Sequence, residues 1–216
     1  KISQKTLEHN VKAFQEKFKL TKEEIAAQFR DYAPVFKMSH ENVVSNATLI
    51  QNYLPLDDQA IGRLQVKAPY LISTPPELVR GNLEFLLRRG FTEEQLIKIL
   101  NQYTEVLAQR PSLLESIINY PKDHLGIKMK TLTTIYTENP RLLSVNPHFL
   151  MSKKVEALNS YGFSDEQIRE IFIKYPRIFV KSLASFTMKL KYLTQRQKVD
   201  LKSNPAFPVI MNYHYG

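Results

Sequence analysis

Two arginines, Arg141 and Arg177, stand 36 residues apart, each directly behind a proline, and six lysines gather in the same region: Lys153, Lys154, Lys174, Lys181, Lys189 and Lys191. The chemistry open to these groups is electrostatic. Guanidinium and ammonium groups neutralise phosphates and release the counterions condensed on a nucleic acid, and backbone N–H groups at helix starts add to the hold. The competing explanation is a solvated face: charge rows on helical proteins commonly face water, and Lys174 at a helix end is favoured by the helix dipole without any ligand. Other chemistries have no comparable support. The chain has no cysteine, which excludes a disulfide framework, thiolate catalysis and cysteine-bound metal. Its five histidines, His9, His40, His124, His148 and His214, are scattered without an i, i+3 or i+4 pair and without a carboxylate cluster at ligand spacing. There is no GxGxxG, no P-loop and no nucleophile elbow. No catalytic residue, metal site or cofactor is expected, and the chain is not expected to be an enzyme.

The charge balance points the same way. The 216 residues carry 30 Lys+Arg against 21 Asp+Glu, a formal net charge of +9. Residues 1–109 hold 14 against 13, whereas residues 110–216 hold 16 against 8, so the second half carries +8 of the total. Phosphate contacts are therefore expected from that half. No membrane contact is expected, because an uncharged run such as Ser203 to Gly216 is too short and too rich in Asn, Pro and Tyr to span a bilayer. The tail Tyr213, His214 and Tyr215 has the chemistry to stack on unpaired bases, although a frayed terminus explains it more simply. The chain starts at Lys1 without Met, so an upstream segment is expected, and a transit peptide would lie outside this chain.

The elements that must position these residues form a repeat. An apolar residue followed by a helix cap recurs at Leu20-Thr21, Leu56-Asp57, Phe91-Thr92, Ile127-Lys128 and Phe163-Ser164, at steps of 36, 35, 36 and 36 residues. Thr21 with Glu24, Thr92 with Gln95 and Ser164 with Gln167 have the spacing of a capping box; Asp57 caps alone, and Lys128 breaks the rule. Behind each cap two rows have the spacing of one helix face: Ile25, Ile61, Leu96, Leu132, Ile168, and then Gln28, Leu64, Ile99, Ile135, Ile171. Pro34, Pro69, Pro140 and Pro176 stop these helices, with Thr104 in the third copy. The apolar pairs Val35-Phe36, Leu71-Ile72, Val106-Leu107, Leu142-Leu143 and Ile178-Phe179 follow, placed to pin a short turn into the core. Pro75, Pro111 and Pro147 open the other helix of each unit. Pro121 falls inside the first helix of the fourth unit, which is expected to be short or broken.

At these residues the sequence resembles the mitochondrial transcription termination factor (mTERF) family. Gly90-Phe91-Thr92 and Gly162-Phe163-Ser164 match its Leu-Gly-Phe-Ser signature in part. Pro140-Arg141-Leu142-Leu143 and Pro176-Arg177-Ile178-Phe179 match its Pro-x-Leu-Leu signature. Units one and two lack the glycine, having Lys19 and Pro55 there. The likeness implies an all-α, curved solenoid with a basic inner face that binds organellar DNA or RNA, with no catalytic residues. Among other arrays of similar period, the tetratricopeptide pattern requires a Trp that is absent, and the pentatricopeptide pattern repeats a Gly and an Ala that this chain does not.

The expected architecture is thus an all-α helical-repeat solenoid forming a single domain of about five to six units of 35–36 residues, each two helices with a proline-stopped turn. The units lie near 3–39, 40–74, 75–110, 111–146 and 147–182, followed by a partial capping repeat at 183–208 and a tail at 209–216. The expected function is non-enzymatic binding of organellar rRNA or double-stranded DNA in a mitochondrion, or alternatively a plastid, in transcription termination or ribosome assembly. The alternative is a protein–protein scaffold within a large organellar ribonucleoprotein such as the mitochondrial ribosome, with ribosomal or other organellar proteins as partners.

Overall fold

The computed structural model describes residues 4–34, 38–196 and 207–212. Every regular element among them is helical, and the chain is an all-α helical-repeat protein. Its contacts divide it into two compact units, Lys1–Pro111 and Ser112–Gly216, at the junction of the third and fourth repeats.

The first unit contains α1 (Gln4–Lys12, running into a π turn at Ala13–Lys17), α2 (Lys22–Asp31), α3 (His40–Gln51), α4 (Asp58–Lys67), α5 (Pro76–Arg88) and α6 (Glu93–Leu100). Thr21 and Thr92 complete reciprocal capping boxes, and the Asp57 carboxylate accepts from the Ala60 N–H at 2.7 Å. The second unit contains α7 (Pro111–Leu125), α8 (Met129–Glu138), α9 (Ser152–Ser160, entered through a π turn at Pro147–Met151), α10 (Asp165–Lys174), α11 (Leu183–Lys191) and α12 (Phe207–Asn212). Ser164 completes a third capping box, and α8 starts after Lys128 with no side-chain cap. Residues 197–206 of the expected partial capping repeat lie outside the described residues, as do Val35-Phe36 and the aromatic tail.

The two rows behind the caps are buried in all five copies, including Gln28, so the helix face is assigned correctly throughout. Each helix pair is followed by a 3-10 turn, at Pro69–Ser73, Thr104–Ala108, Pro140–Ser144 and Pro176–Val180. The apolar pairs of all four turns are buried. The residue eleven places past the cap position adopts one conformation in every repeat, two residues before Pro34 in the first and directly before the stop in the others: φ/ψ is −149/64° at Tyr32, −133/70° at Ala68, −148/77° at Tyr103, −136/64° at Asn139 and −135/52° at Tyr175. Tyr103 does this with Thr104 in place of proline. Burial of Val106 and Leu107 therefore suffices to hold the turn, while the Thr104 hydroxyl donates to the Leu100 carbonyl at 2.8 Å. The glycine row is conformational: Gly90, Gly126 and Gly162 have φ of +89°, +65° and +80°, and Lys19 takes the same left-handed place at +53°.

The expectation of a broken fourth unit is overturned. Helix α7 runs unbroken for 15 residues with Pro121 inside it and buried. Proline at 121 cannot donate to the carbonyl of Ile117, four residues earlier. That carbonyl accepts instead from the hydroxyl of Tyr136, at 2.7 Å. Tyr136 is fully buried on α8, and burial pushes its phenol pKa up, so the ring remains a proton donor. A tertiary contact replaces the missing helical bond.

A second feature runs through the interior. Asn10, Asn46 and Asn82 recur at 36-residue steps on the first helices, and all three are buried. Asn10 donates to the carbonyl of Met38 at 2.9 Å. Asn46 donates to Leu71 and Thr74 at 2.6 and 2.7 Å, and Asn82 lies within 3.2 Å of the carbonyls of Val106, Leu107 and Gln109. Each amide thus serves turn carbonyls that burial would otherwise strand at a cost of about 1–3 kcal/mol each. The fourth copy has Ile118 at this step and the fifth has Lys154.

Candidate nucleic-acid interface

The 3-10 turns present one side chain directly behind each stopping position. In the first unit these are Tyr70 and Glu105, and in the second Arg141 and Arg177. The same backbone device therefore displays no cation in one unit and two in the other. The turns at Pro140–Ser144 and Pro176–Val180 pack against each other, so Arg141 and Arg177 project from neighbouring turns, and both are exposed. The Arg177 Nε–H donates to the Asn139 side-chain oxygen at 3.2 Å. This bond comes from the last residue before the preceding turn and orients the guanidinium while its two terminal nitrogens remain for a ligand. A fork held this way loses less rotamer freedom on binding a phosphate. Arg177 borders a groove of about 290 Å³, with Lys174 and Glu138 also on its rim and an apolar wall that includes Ile135, Ile173 and Tyr175.

The lysines divide into groups that the sequence did not separate. Lys174 is exposed at the end of α10 and pairs with Glu170 at 3.1 Å, so part of its field is already balanced. Lys153 and Lys191 are exposed on first helices, α9 and α11, rather than on the turns. Lys181, just after the Pro176 turn, is half-buried.

Lys154 and Lys189 do not belong to a phosphate-facing set. Lys154 is fully buried, and its Nζ donates to the carbonyls of Phe179 and Lys181 beneath the face of the Phe186 ring. Lys189 is 8% exposed and donates to the Met211 carbonyl at 3.0 Å. Burial lowers the pKa of Lys154 to about 8, and burial together with the charge of Lys181 lowers that of Lys189. Both side chains fill core positions of their helices, so their charge is not offered to solvent. One signal could have flagged Lys154: it continues the Asn10, Asn46, Asn82 series at twice the 36-residue step. Asn139 carried no such signal, since its role depends on the next turn lying beside it.

The fold also brings His9 and His40 together, with ring centroids 4.4 Å apart in an edge-to-face arrangement, a pairing that their separation in sequence hides. Burial, then His9 and Lys17, lowers the His40 pKa. Among the described residues no group of three or more His, Asp or Glu is placed to hold a metal ion, and no helix is long and apolar enough to cross a membrane.

Comparison with known proteins places this arrangement in context. The chain is 22% identical over 180 residues to the chloroplastic transcription termination factor MTERF8 of Arabidopsis thaliana, covering 83% of this chain and 35% of that protein. It is 25% identical over 128 residues to the mitochondrial transcription termination factor 2 of Rattus norvegicus, covering 56% of this chain and 33% of that protein. The chain thus spans about a third of the length of these relatives. The mTERF family model matches residues 1–215, and with its caps, stopped turns and left-handed glycines recurring in register, the chain belongs to the mTERF family.

Proposed function

We propose that this chain is a non-enzymatic nucleic-acid-binding protein of organellar gene expression, acting in a mitochondrion or plastid on organellar RNA or double-stranded DNA. Arg141 and Arg177 are the principal phosphate contacts, and Lys153, Lys174, Lys181 and Lys191 supply the surrounding field. The observation that carries this reading is the row behind the stops: one turn geometry bears Tyr70 and Glu105 in the first unit but Arg141 and Arg177 in the second, and Asn139 orients one of the two arginines. Phosphate contacts of this kind position a protein without reading sequence.

The test is the salt dependence of binding to labelled duplex and single-stranded probes. Replacing Arg141 and Arg177 together by Ala is expected to weaken binding to unrelated sequences alike. The slope of log K against log salt should become shallower by about 0.9 per lost contact on duplex DNA and about 0.7 on single strands. The matched control removes Lys12 and Lys22 from the first unit, where Lys12 already pairs with Glu16 at 3.7 Å, and is expected to change little. Equal losses from both pairs would spread the interface over both units. No loss from either would favour the protein-scaffold reading, which draws on the near-neutral first half and on Phe149 and Met188, exposed by 68% and 66%.

A further inference from the structure

We propose that Lys154 is a positioning residue: from beneath the Pro176 turn its amine pins the carbonyl end of the segment that displays Arg177, and its charge state sets how firmly that segment is held. The inference rests on the nucleic-acid reading for its functional consequence, but not for the pin itself.

The geometry is that of the asparagine series with one substitution. Asn46 and Asn82 hold the carbonyls of the Pro69 and Thr104 turns, and Lys154 holds those of Phe179 and Lys181, at the end of the Pro176 turn and just beyond it. An asparagine amide is neutral at every pH. A lysine at the same rung is not, and it is fully buried. A neutral amine has two N–H donors, which match the two carbonyls, whereas an ammonium brings a third donor and a charge into the core. Phe186, whose ring centre lies 6.0 Å from Nζ, offers that charge a partial partner.

Among the described residues no carboxylate offers a better one. On α9 itself Lys153 and Glu156 are exposed. In the π turn before it, His148 is exposed. On α10, Asp165 is exposed at the helix start, and the remaining charged side chains pair with each other, Arg169 with Glu166 at 3.9 Å and Lys174 with Glu170 at 3.1 Å. Around the turn and on α11 the charged groups are Arg177, Lys181, Lys189 and Lys191, all cationic. Burial alone lowers the Lys154 pKa from 10.5 to about 8. Between those two values the unfolded chain keeps a proton that the folded chain has released. The folded state therefore gains stability as pH rises through that window, holds the full gain above 10.5 and has none of it below 8. For Lys154 alone the gain in the folded-to-unfolded ratio is on the order of a hundredfold.

The experiment compares wild type with Lys154→Met, which keeps an unbranched side chain one atom shorter and removes both donors and charge. Urea midpoints are followed by far-ultraviolet circular dichroism across the window from pH 8 to 10.5. The wild-type midpoint is expected to rise relative to that of the variant, whose profile lacks the Lys154 step; taking the difference cancels the shared titration of tyrosines and of Lys189. Where Lys154→Met does not fold, Lys154→Gln, which keeps a donor and does not titrate, gives the same comparison. Parallel pH profiles for wild type and variant would overturn the pin.

Binding to a labelled RNA duplex, and to a DNA duplex of the same sequence, gives the functional arm. Lys154→Met is expected to bind several-fold more weakly with the overall fold intact, whereas Asn82→Leu, the equivalent rung beneath the Glu105 turn, leaves affinity unchanged. Wild-type affinity for Lys154→Met, in the presence of a loss for Arg177→Ala, would overturn the positioning role. A wild-type chain that binds neither duplex would remove the nucleic-acid reading and with it the functional consequence, and the pH profile would then decide the pin by itself.

Discussion

Removing the Tyr136 hydroxyl tests how an all-helical repeat tolerates a proline in mid-helix. In Tyr136→Phe the ring still fills its fully buried site, and only the donor to the Ile117 carbonyl is lost. That carbonyl is buried and, with Pro121 four residues ahead, has no helical N–H to replace the hydroxyl. Leaving it unsatisfied is expected to cost about 1–3 kcal/mol. In a Pro121→Ala background the alanine N–H restores the helical bond, and the same Tyr136→Phe change is expected to cost about 1 kcal/mol or less. The coupling between the two sites is then about 1–2 kcal/mol, well above the few tenths seen between independent sites. Urea denaturation of the four proteins, followed by circular dichroism, measures the cycle. Equal costs of Tyr136→Phe in both backgrounds would show that the hydroxyl does not substitute for the missing bond. A cost below about half a kilocalorie in the wild-type background would show that the carbonyl is satisfied in another way.

Two further outcomes follow from burial. Ile168→Ala and Ile171→Ala, at side chains exposed by 0% and 7%, are each expected to lose about 2–5 kcal/mol of unfolding free energy, and a loss under half a kilocalorie in denaturant titrations would mean that the α10 face is misassigned. Asn82→Leu strands carbonyls of the Thr104 turn and is expected to cost about 2–4 kcal/mol, with the largest loss of amide-exchange protection at residues 104–109; loss of protection elsewhere instead would contradict a local pin.

What the sequence determined by itself was whatever depends on neighbours along the chain. A cap oxygen reaches an N–H three residues on, a proline stops the helix it ends, and an apolar row at helical spacing marks the buried face. Thr21, Thr92 and Ser164 form their capping boxes for that reason, and Ile61, Leu96 and Ile168 are buried for the same one. The cationic row behind the stops was legible too, because Arg141 and Arg177 hold one place in two identical turns.

The partner that each polar group finds across helices came instead from how the helices pack. Lys153 and Lys154 are adjacent and chemically alike, yet successive helical residues point about 100° apart, which leaves one in water and puts the other in the core. Asparagines on a buried face look like faults in an apolar stripe until the turn carbonyls 24 to 28 residues away come within reach of them. Pro121 by its local chemistry should end its helix, and the helix continues because a phenol 15 residues later supplies the hydrogen bond that proline cannot. Hydrogen bonds formed across packed helices depend on positions in space that neither propensity nor spacing along one helix encodes, so these roles emerged only once the helices were placed side by side.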